Sequence, residues 1–330
     1  MKLSTVVQIV GGVAVSSAGL YFFLKNVKID VIWDQIKTTE WWVVAMVAVL
    51  SPLSLWLRTL RWKIMLPSRS GTEKKGLFSI TTIAFMINNI LPARLGEAAR
   101  ALLLWRRNKF TAAESIGSLV VERVLDSLAF LSFLFFPIFF IKGLEHLFFY
   151  GLVCMSIFLG TVVSFILYAL FPLFTRKHVL KSLLLVPEKM RIKVKKLGKE
   201  LISNLDWMFS GKKVLSVVVL SYLTMFCYVG MIWLLGIKIE SFGFLGSMFG
   251  VAFAALGAAI PLSPGYVGTL HAMLLQGLTM LGVTIEKAGA IAVLYHAIGY
   301  VIVTLLGIYF FFAVNVSFSD IGKANEQLKK

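Results

Sequence analysis

The sequence predicts an all-α polytopic integral membrane protein, with about six spanning helices plus two re-entrant, broken-helix hairpins in an inverted repeat. Three observations predict it. Hydrophobic residues make up 58% of the 330 residues and charged residues only 15%, against about 25% charged in a soluble domain, so a water-soluble fold could not hide the apolar surface. Apolar runs of spanning length recur almost end to end, leaving no room for a soluble catalytic domain. Two further runs are broken at their centres by proline and glycine.

A span needs about 20 apolar residues. Residues 5–24 follow a basic start, exceed the apolar core of a signal peptide, and lack a small-residue cleavage site, so they read as a first helix. The next spans are residues 41–60, 113–141, 147–174, 214–235 and 287–314. Trp33, Trp41, Trp42, Trp56 and Trp62 lie near their ends, as interfacial anchors do. Thr111 and Glu114 have the spacing of a capping box at the start of the third of these helices.

The first broken run covers residues 77–105 and is interrupted by Asn88, Asn89, Pro92, Arg94, Gly96 and Glu97. Its limbs hold about 14 and 8 apolar residues, too few to cross. Both flanks are basic (Lys74 and Lys75; Arg106, Arg107 and Lys109), which puts both ends on one face. The second covers residues 242–283 and is interrupted by Pro261, Pro264, Gly265 and Gly268. Its flanks are nearly neutral, and its limbs leave a re-entrant hairpin and two full crossings both open. Broken backbone at membrane depth is tolerated only where protein or a wet cavity satisfies it.

The net charge of +17, from 33 Lys+Arg against 16 Asp+Glu, raises the question of nucleic acid. The cations sit in short loops between apolar runs, so they set orientation and attract anionic lipid headgroups instead. Loops 61–75, 106–109, 176–213 and 323–330 fall on the cytoplasmic face of the cell membrane. Loops 25–40, 142–146, 238–240 and 286–287 fall on the other. Both termini are then cytoplasmic. Each half reads helix, helix, hairpin, helix, and the halves begin on opposite sides: residues 1–141 form one repeat, 142–314 the other, and 315–330 a tail. Between them, residues 178–213 form a basic amphipathic segment that lies on anionic lipid or serves as a plain connector. Cys154 and Cys227 sit in apolar runs as packing residues, with no disulfide or metal framework.

Ionisable groups inside a span cost about 2.5–3.5 kcal/mol each, so they face a cavity or a partner. Ser115, Ser118, Glu122 and Asp126 recur at spacings of three and four on one helix face, and Arg123 is within reach of Asp126. This stripe is either a structural ion pair or the polar wall of a substrate path. In the first hairpin, Arg94, Glu97 and Arg100 repeat every three residues. Pro92 stops the entering limb, Gly96 allows a tight turn, and the helix that follows aims free N–H groups at an anion. Arg94 and Arg100 add forked phosphate contacts, unless Glu97 is spent pairing with one of them or with Arg123. Asn88 and Asn89 line the same turn or cap the limb. In the second hairpin, Pro261, Pro264, Gly265 and Gly268 free backbone groups near the midplane. His271 and His296 then form a pair that relays a proton, contacts phosphate, or simply packs. No cofactor, metal or nucleotide-binding loop is expected.

The run from Asn88 to Arg100, the segment Glu122-Arg123-Val124-Leu125-Asp126 and the run from Pro261 to Thr269 resemble the lysylphosphatidylglycerol synthase transmembrane-region family, also called flippase-like. The resemblance covers nearly the whole chain, with the motifs in order. It implies a lipid-handling module that, in the best-known members, moves aminoacylated phospholipid between leaflets while a soluble domain makes that lipid. Other relatives are linked to polyprenyl-phosphate sugars. By position, Arg94, Glu97, Arg100, Glu122, Arg123 and Asp126 match the family's polar motif residues. Two features depart from it: many members carry Glu at the position of His271 and Arg at that of His296, and the soluble aminoacyl-transferase domain is not seen. The expectation is a translocase, not an enzyme, that moves a membrane phospholipid or lipid-linked sugar, with a lipid-modifying enzyme as partner. Competing with it are a membrane component of an aminoacyl- or glycosyl-transferase and a membrane scaffold for such an enzyme.

Overall fold

A computed structural model describes residues 14, 17–25, 29–67, 74–91, 94–108, 110–170, 205–237, 242–260 and 263–314. Residues 17–25 are helical. The helices that follow are α1 (Ile29–Lys37), α2 (Trp41–Met65), α3 (Leu77–Ile90), α4 (Leu95–Asn108), α5 (Ala112–Phe140), α6 (Phe148–Leu170), α7 (Gly211–Leu235), α8 (Gly243–Ala259), α9 (Thr269–Thr279) and α10 (Ile285–Ala313). The protein is an all-α polytopic membrane protein. α2, α6, α7 and α10 are long and apolar enough to cross a bilayer. At 1.5 Å per residue, the 29 residues of α5 reach about 44 Å, also enough.

The packing frame is an antiparallel pair. Val47 of α2 clusters with Met231 of α7, Arg61 bonds Ser221, and Met65 packs on Val217. The end of α2 therefore lies beside the start of α7. The feet of the α3–α4 hairpin follow α2, and those of the α8–α9 hairpin follow α7, so the hairpins enter from opposite ends of the bundle.

The helix contacts obey an exchange symmetry. Swapping α2 with α7, α3 with α8, α4 with α9 and α5 with α10 maps the contacts onto themselves: α3 packs on α10 as α8 packs on α5, and α4 on α5 as α9 on α10. α1 packs on α10 as α6 packs on α5. This is the inverted repeat.

Both hairpins are re-entrant. α3 and α4 have 14 residues each, about 21 Å, while α8 and α9 have 17 and 11, about 26 and 17 Å, short of a ~30 Å hydrocarbon core. Their tips touch. An added Cβ on Gly265 would lie 2.7 Å from the Asn89 carbonyl oxygen, and Gly265 holds φ +56°, so glycine serves both the turn and the close approach. Two full crossings by residues 242–283 are therefore excluded.

Burial separates the roles of the helices. α3 buries ten of its fourteen residues, as an element enclosed by protein should. α6 exposes most of its apolar side chains, as a helix that faces lipid does. The capping box of Thr111 and Glu114 forms, with bonds of 2.8 and 3.1 Å, and starts α5.

Four expectations change. Part of the loop read over residues 25–40 is the helix α1, whose Ile32 packs against Gly289 of α10. α2 runs on to Met65 because Arg61 and Trp62 are buried in protein. Trp62 is thus no interfacial anchor: its indole N–H donates to Ser118 Oγ at 3.0 Å. Gly96 makes no left-handed turn. It stands where α4 crosses α3, and a Cβ there would lie 1.8 Å from the Ala84 carbonyl; the positive φ (+51°) belongs to Arg94. The first helix over residues 5–24 lies mostly outside the described residues, as do the amphipathic segment up to residue 204 and the tail.

Candidate functional site

Where α2, α4 and α5 meet, four arginines converge on two carboxylates. Glu122, fully buried on α5, accepts from Arg58 Nη1 and Arg100 Nη1 at 2.9 Å each and from Arg123 Nη2 at 3.1 Å. Asp126, one turn on, accepts from Arg58 at 2.6 Å and Arg61 at 2.7 Å. Arg100 also stacks over Trp62, its guanidinium carbon 3.8 Å from the ring centroid. Such charges are tolerable at this depth because each is paired; unpaired, they would carry the full desolvation cost. Ser115 and Ser118 complete the buried stripe on α5.

Toward the hairpin tips the network opens. Glu97 lies 3.6 Å from Arg123 Nε and 3.9 Å from Arg94 Nη1, and all three side chains are about a third exposed. The linked groups are five arginines (58, 61, 94, 100 and 123) and three carboxylates (97, 122 and 126). Two formal positive charges are left over.

Six of these groups border a cavity of about 230 Å³ between the two hairpins. Arg58, Arg94, Glu97, Arg100, Arg123 and Asp126 line one wall, with Asn88 and Asn89 from the first tip. Tyr266 from the second tip and Tyr295, His296 and Tyr300 from α10 line the other. Ser51, Ser54, Leu55, Phe85 and Phe130 are among the residues that line the rest. The lining is mixed, with apolar faces for a hydrocarbon segment and a cluster of forked donors for an anion.

The predicted site residues divide. Asn88 turns inward to accept the Gly96 N–H at 2.8 Å, capping α4, so that amide is not free for an anion as the sequence reading supposed. Asn89 donates to Thr304 Oγ1 at 3.0 Å, and its carbonyl accepts from Tyr300 Oη at 3.2 Å, tying the first tip to α10. His271 and His296 are paired, Nε2 to Nδ1 at 3.2 Å, and the Gly268 N–H donates to His271 Nδ1. A Gly268 N–H that meets an acceptor nitrogen leaves the neutral His271 with its proton on Nε2, pointed at His296. His296 faces the cavity, whereas His271 lies behind it. Pro261 lies outside the described residues, as does the side chain of Pro264.

The sequence reading missed Arg58 and Arg61. They sit three residues apart on the buried face of α2, Arg58 inside the span read over residues 41–60 and Arg61 just past its end, where the sequence reads as loop. The rule that singled out Glu122 and Asp126, an ionisable group inside a span, applies equally to Arg58; Arg61 joins it only because α2 runs on to Met65.

Comparison with known proteins bears on the whole bundle. The family described as lysylphosphatidylglycerol synthase TM region matches residues 9–307, which hold every helix of both repeats except the last turns of α10. The UPF0104 membrane protein MJ1595 of Methanocaldococcus jannaschii is 25% identical over 266 residues, covering 75% of this chain and 77% of the relative. The UPF0104 membrane protein MJ1078 of the same organism is 27% identical over 239 residues, covering 69% of this chain and 94% of the relative. No solved structure matches.

Proposed function

The chain belongs to the lysylphosphatidylglycerol synthase transmembrane-region family, and on that premise we propose that it is a lipid translocase moving a phosphate-bearing lipid between leaflets. The observation that carries the reading is the meeting of two oppositely entering hairpins on a cavity whose arginines outnumber its carboxylates. A phosphate would be held by the forked donors of Arg94, Arg100 and Arg123 while the acyl or polyprenyl tails stay in the bilayer. Rocking of one repeat against the other would expose the cavity to each leaflet in turn.

Orientation follows from loop charge. The end of the bundle with the first hairpin's feet carries Lys63, Lys74, Lys75, Arg106, Lys212 and Lys213, and we place it in the cytoplasm of a cell-membrane protein. The opposite end carries few charges of mixed sign, such as Lys142, Glu145, Glu286 and Lys287. In this reading the chain performs no bond-making step, and a partner enzyme makes the lipid that it moves.

Reconstitution into vesicles with fluorescent lipids tests it. Leaflet exchange faster than in empty vesicles is expected for at least one phosphate-bearing lipid. No acceleration across phospholipids and a polyprenyl phosphate overturns the proposal. Lipid analysis of a deletion strain separates transport from synthesis: unchanged amounts with altered sidedness fit transport, and loss of a modified lipid assigns the chain to a synthase.

A further inference from the structure

The translocase reading leaves the cargo's headgroup open, and the following inference rests on that reading. We propose that the headgroup is a net anionic phosphate mono- or diester, and that a phospholipid bearing a cationic aminoacyl group is rejected.

An ammonium group needs a carboxylate, and the cavity has none to spare. Glu122 does not line the cavity: its Oε1 is held by Arg58, Arg100 and Arg123, and its Oε2, though without a hydrogen-bond partner, is fully buried behind the wall. Asp126 reaches the wall, but both of its oxygens are held by arginines, at 2.6 and 2.7 Å. Glu97 is the other carboxylate in the lining, and it stands between Arg94 and Arg123. A cation reaching Glu97 would sit against two guanidinium groups. The rest of the wall, from Ser51, Asn88, Tyr295 and Tyr300, is neutral, and His296 supplies no negative charge in either protonation state.

An anion meets the opposite situation. Arg100 is 2% exposed and lines the cavity, yet its Nη2 and Nε have no hydrogen-bond partner. A buried guanidinium leaves donors unpaired only at a cost, and a phosphate oxygen admitted by a shift of the Arg100 side chain would satisfy them. Arg94 and Arg123 stand at the same opening with about a third of their surface free. The two surplus positive charges are balanced by a phosphomonoester dianion and halved by a diester. Adding one ammonium group cancels the diester's gain and halves the dianion's. In a low-dielectric cavity this difference governs which headgroup enters.

The test compares four labelled lipids in vesicles containing the intact protein: phosphatidic acid, phosphatidylglycerol, phosphatidylethanolamine and lysyl-phosphatidylglycerol. Phosphatidic acid and phosphatidylglycerol should exchange fastest, and lysyl-phosphatidylglycerol about tenfold slower or worse, one decade being a modest share of the cost of an unpaired charge at this depth. Lysyl-phosphatidylglycerol moving as fast as phosphatidylglycerol overturns the inference and leaves the translocase reading intact. Should no lipid move, the translocase reading fails, and native mass spectrometry of the protein with the same four lipids decides the charge preference. Retention of the anionic pair upholds it, and equal retention of the lysyl lipid overturns it. Uptake of inorganic phosphate into the vesicles, or its displacement of bound phosphatidylglycerol at millimolar concentration, would assign the arginines to a soluble anion and overturn the lipid assignment.

Discussion

Arg94 Nη2 donates a 2.6 Å hydrogen bond to the carbonyl of Ala258, joining the tip of the first hairpin to the last turn of α8 across the two repeats. The same side chain lies 3.9 Å from Glu97 and borders the cavity. One guanidinium therefore both bridges the repeats and presents donors to whatever enters between them.

Replacing Arg94 with alanine should slow leaflet exchange by about tenfold, the loss of one charge-assisted hydrogen bond to phosphate being worth about 1.5–3 kcal/mol. Lysine should recover part of the rate, since it keeps the charge but not the fork. Initial rates in vesicles, with thermal melting of the same preparations, check this. Equal rates for the wild type and R94A would remove Arg94 from the transport path.

The paired entry of the hairpins makes a topological prediction. Single cysteines at Lys75 and Arg106, the feet of the first hairpin, should react with an impermeant maleimide from one face of the membrane. Cysteines at Lys142 and Glu286 should react only from the other. The background carries Cys154→Ser and Cys227→Ser, both native cysteines being free thiols. Labelling of Lys75→Cys and Arg106→Cys from opposite faces would contradict the hairpin.

How much of this was legible depended on which signal each residue leaves in the chain. Spans and breaks were readable because about 20 apolar residues, or a proline among them, show locally. The stripe of Ser115, Ser118, Glu122 and Asp126 was readable because it repeats along a single helix. What joins different helices was not: Arg58 reaches Glu122 across 64 positions and Asn89 reaches Thr304 across 215. Trp62 shows the same limit. A tryptophan near the end of an apolar run reads as an anchor, and only the arrival of Ser118 and Arg100 makes it an interior residue. Gly96 reads as a turn because glycine lets a backbone turn tightly, while its cause is the neighbouring helix, which the sequence does not display.

Glu122 holds three arginines together on one oxygen and offsets their mutual repulsion, so its loss should act on the fold before it acts on transport. Glu122→Gln leaves Arg100 Nη1 without an anionic partner and concentrates like charge in a buried site. Breaking a buried pair in this way costs about 3–5 kcal/mol. A marked fall in melting temperature and in resistance to denaturing detergent is expected. The double variant Glu122→Gln/Arg100→Gln should recover part of it, because the orphaned cation goes as well. If the single variant melts with the wild type, the ion network does not stabilise the bundle.

The close crossing of the first hairpin gives the sharpest structural contrast. At Gly96 a methyl group would fall 1.8 Å from the Ala84 carbonyl oxygen and 2.6 Å from Asn88 Oδ1, so α3 and α4 would have to part and the Asn88 cap would be lost. Overpacking typically costs about 1–3 kcal/mol, and a backbone atom as the obstacle sets Gly96→Ala at the upper end of that range. Gly160, on the lipid-facing α6, has nothing within 4 Å of the same methyl. Gly160→Ala should be neutral or slightly stabilising, since alanine is the better helix former by about 1 kcal/mol. Melting curves of the two variants in the same detergent make the comparison. Equal behaviour would mean that the two limbs of the first hairpin do not pack at this distance, and the enclosed cavity would lose the wall that Asn88 and Arg94 supply.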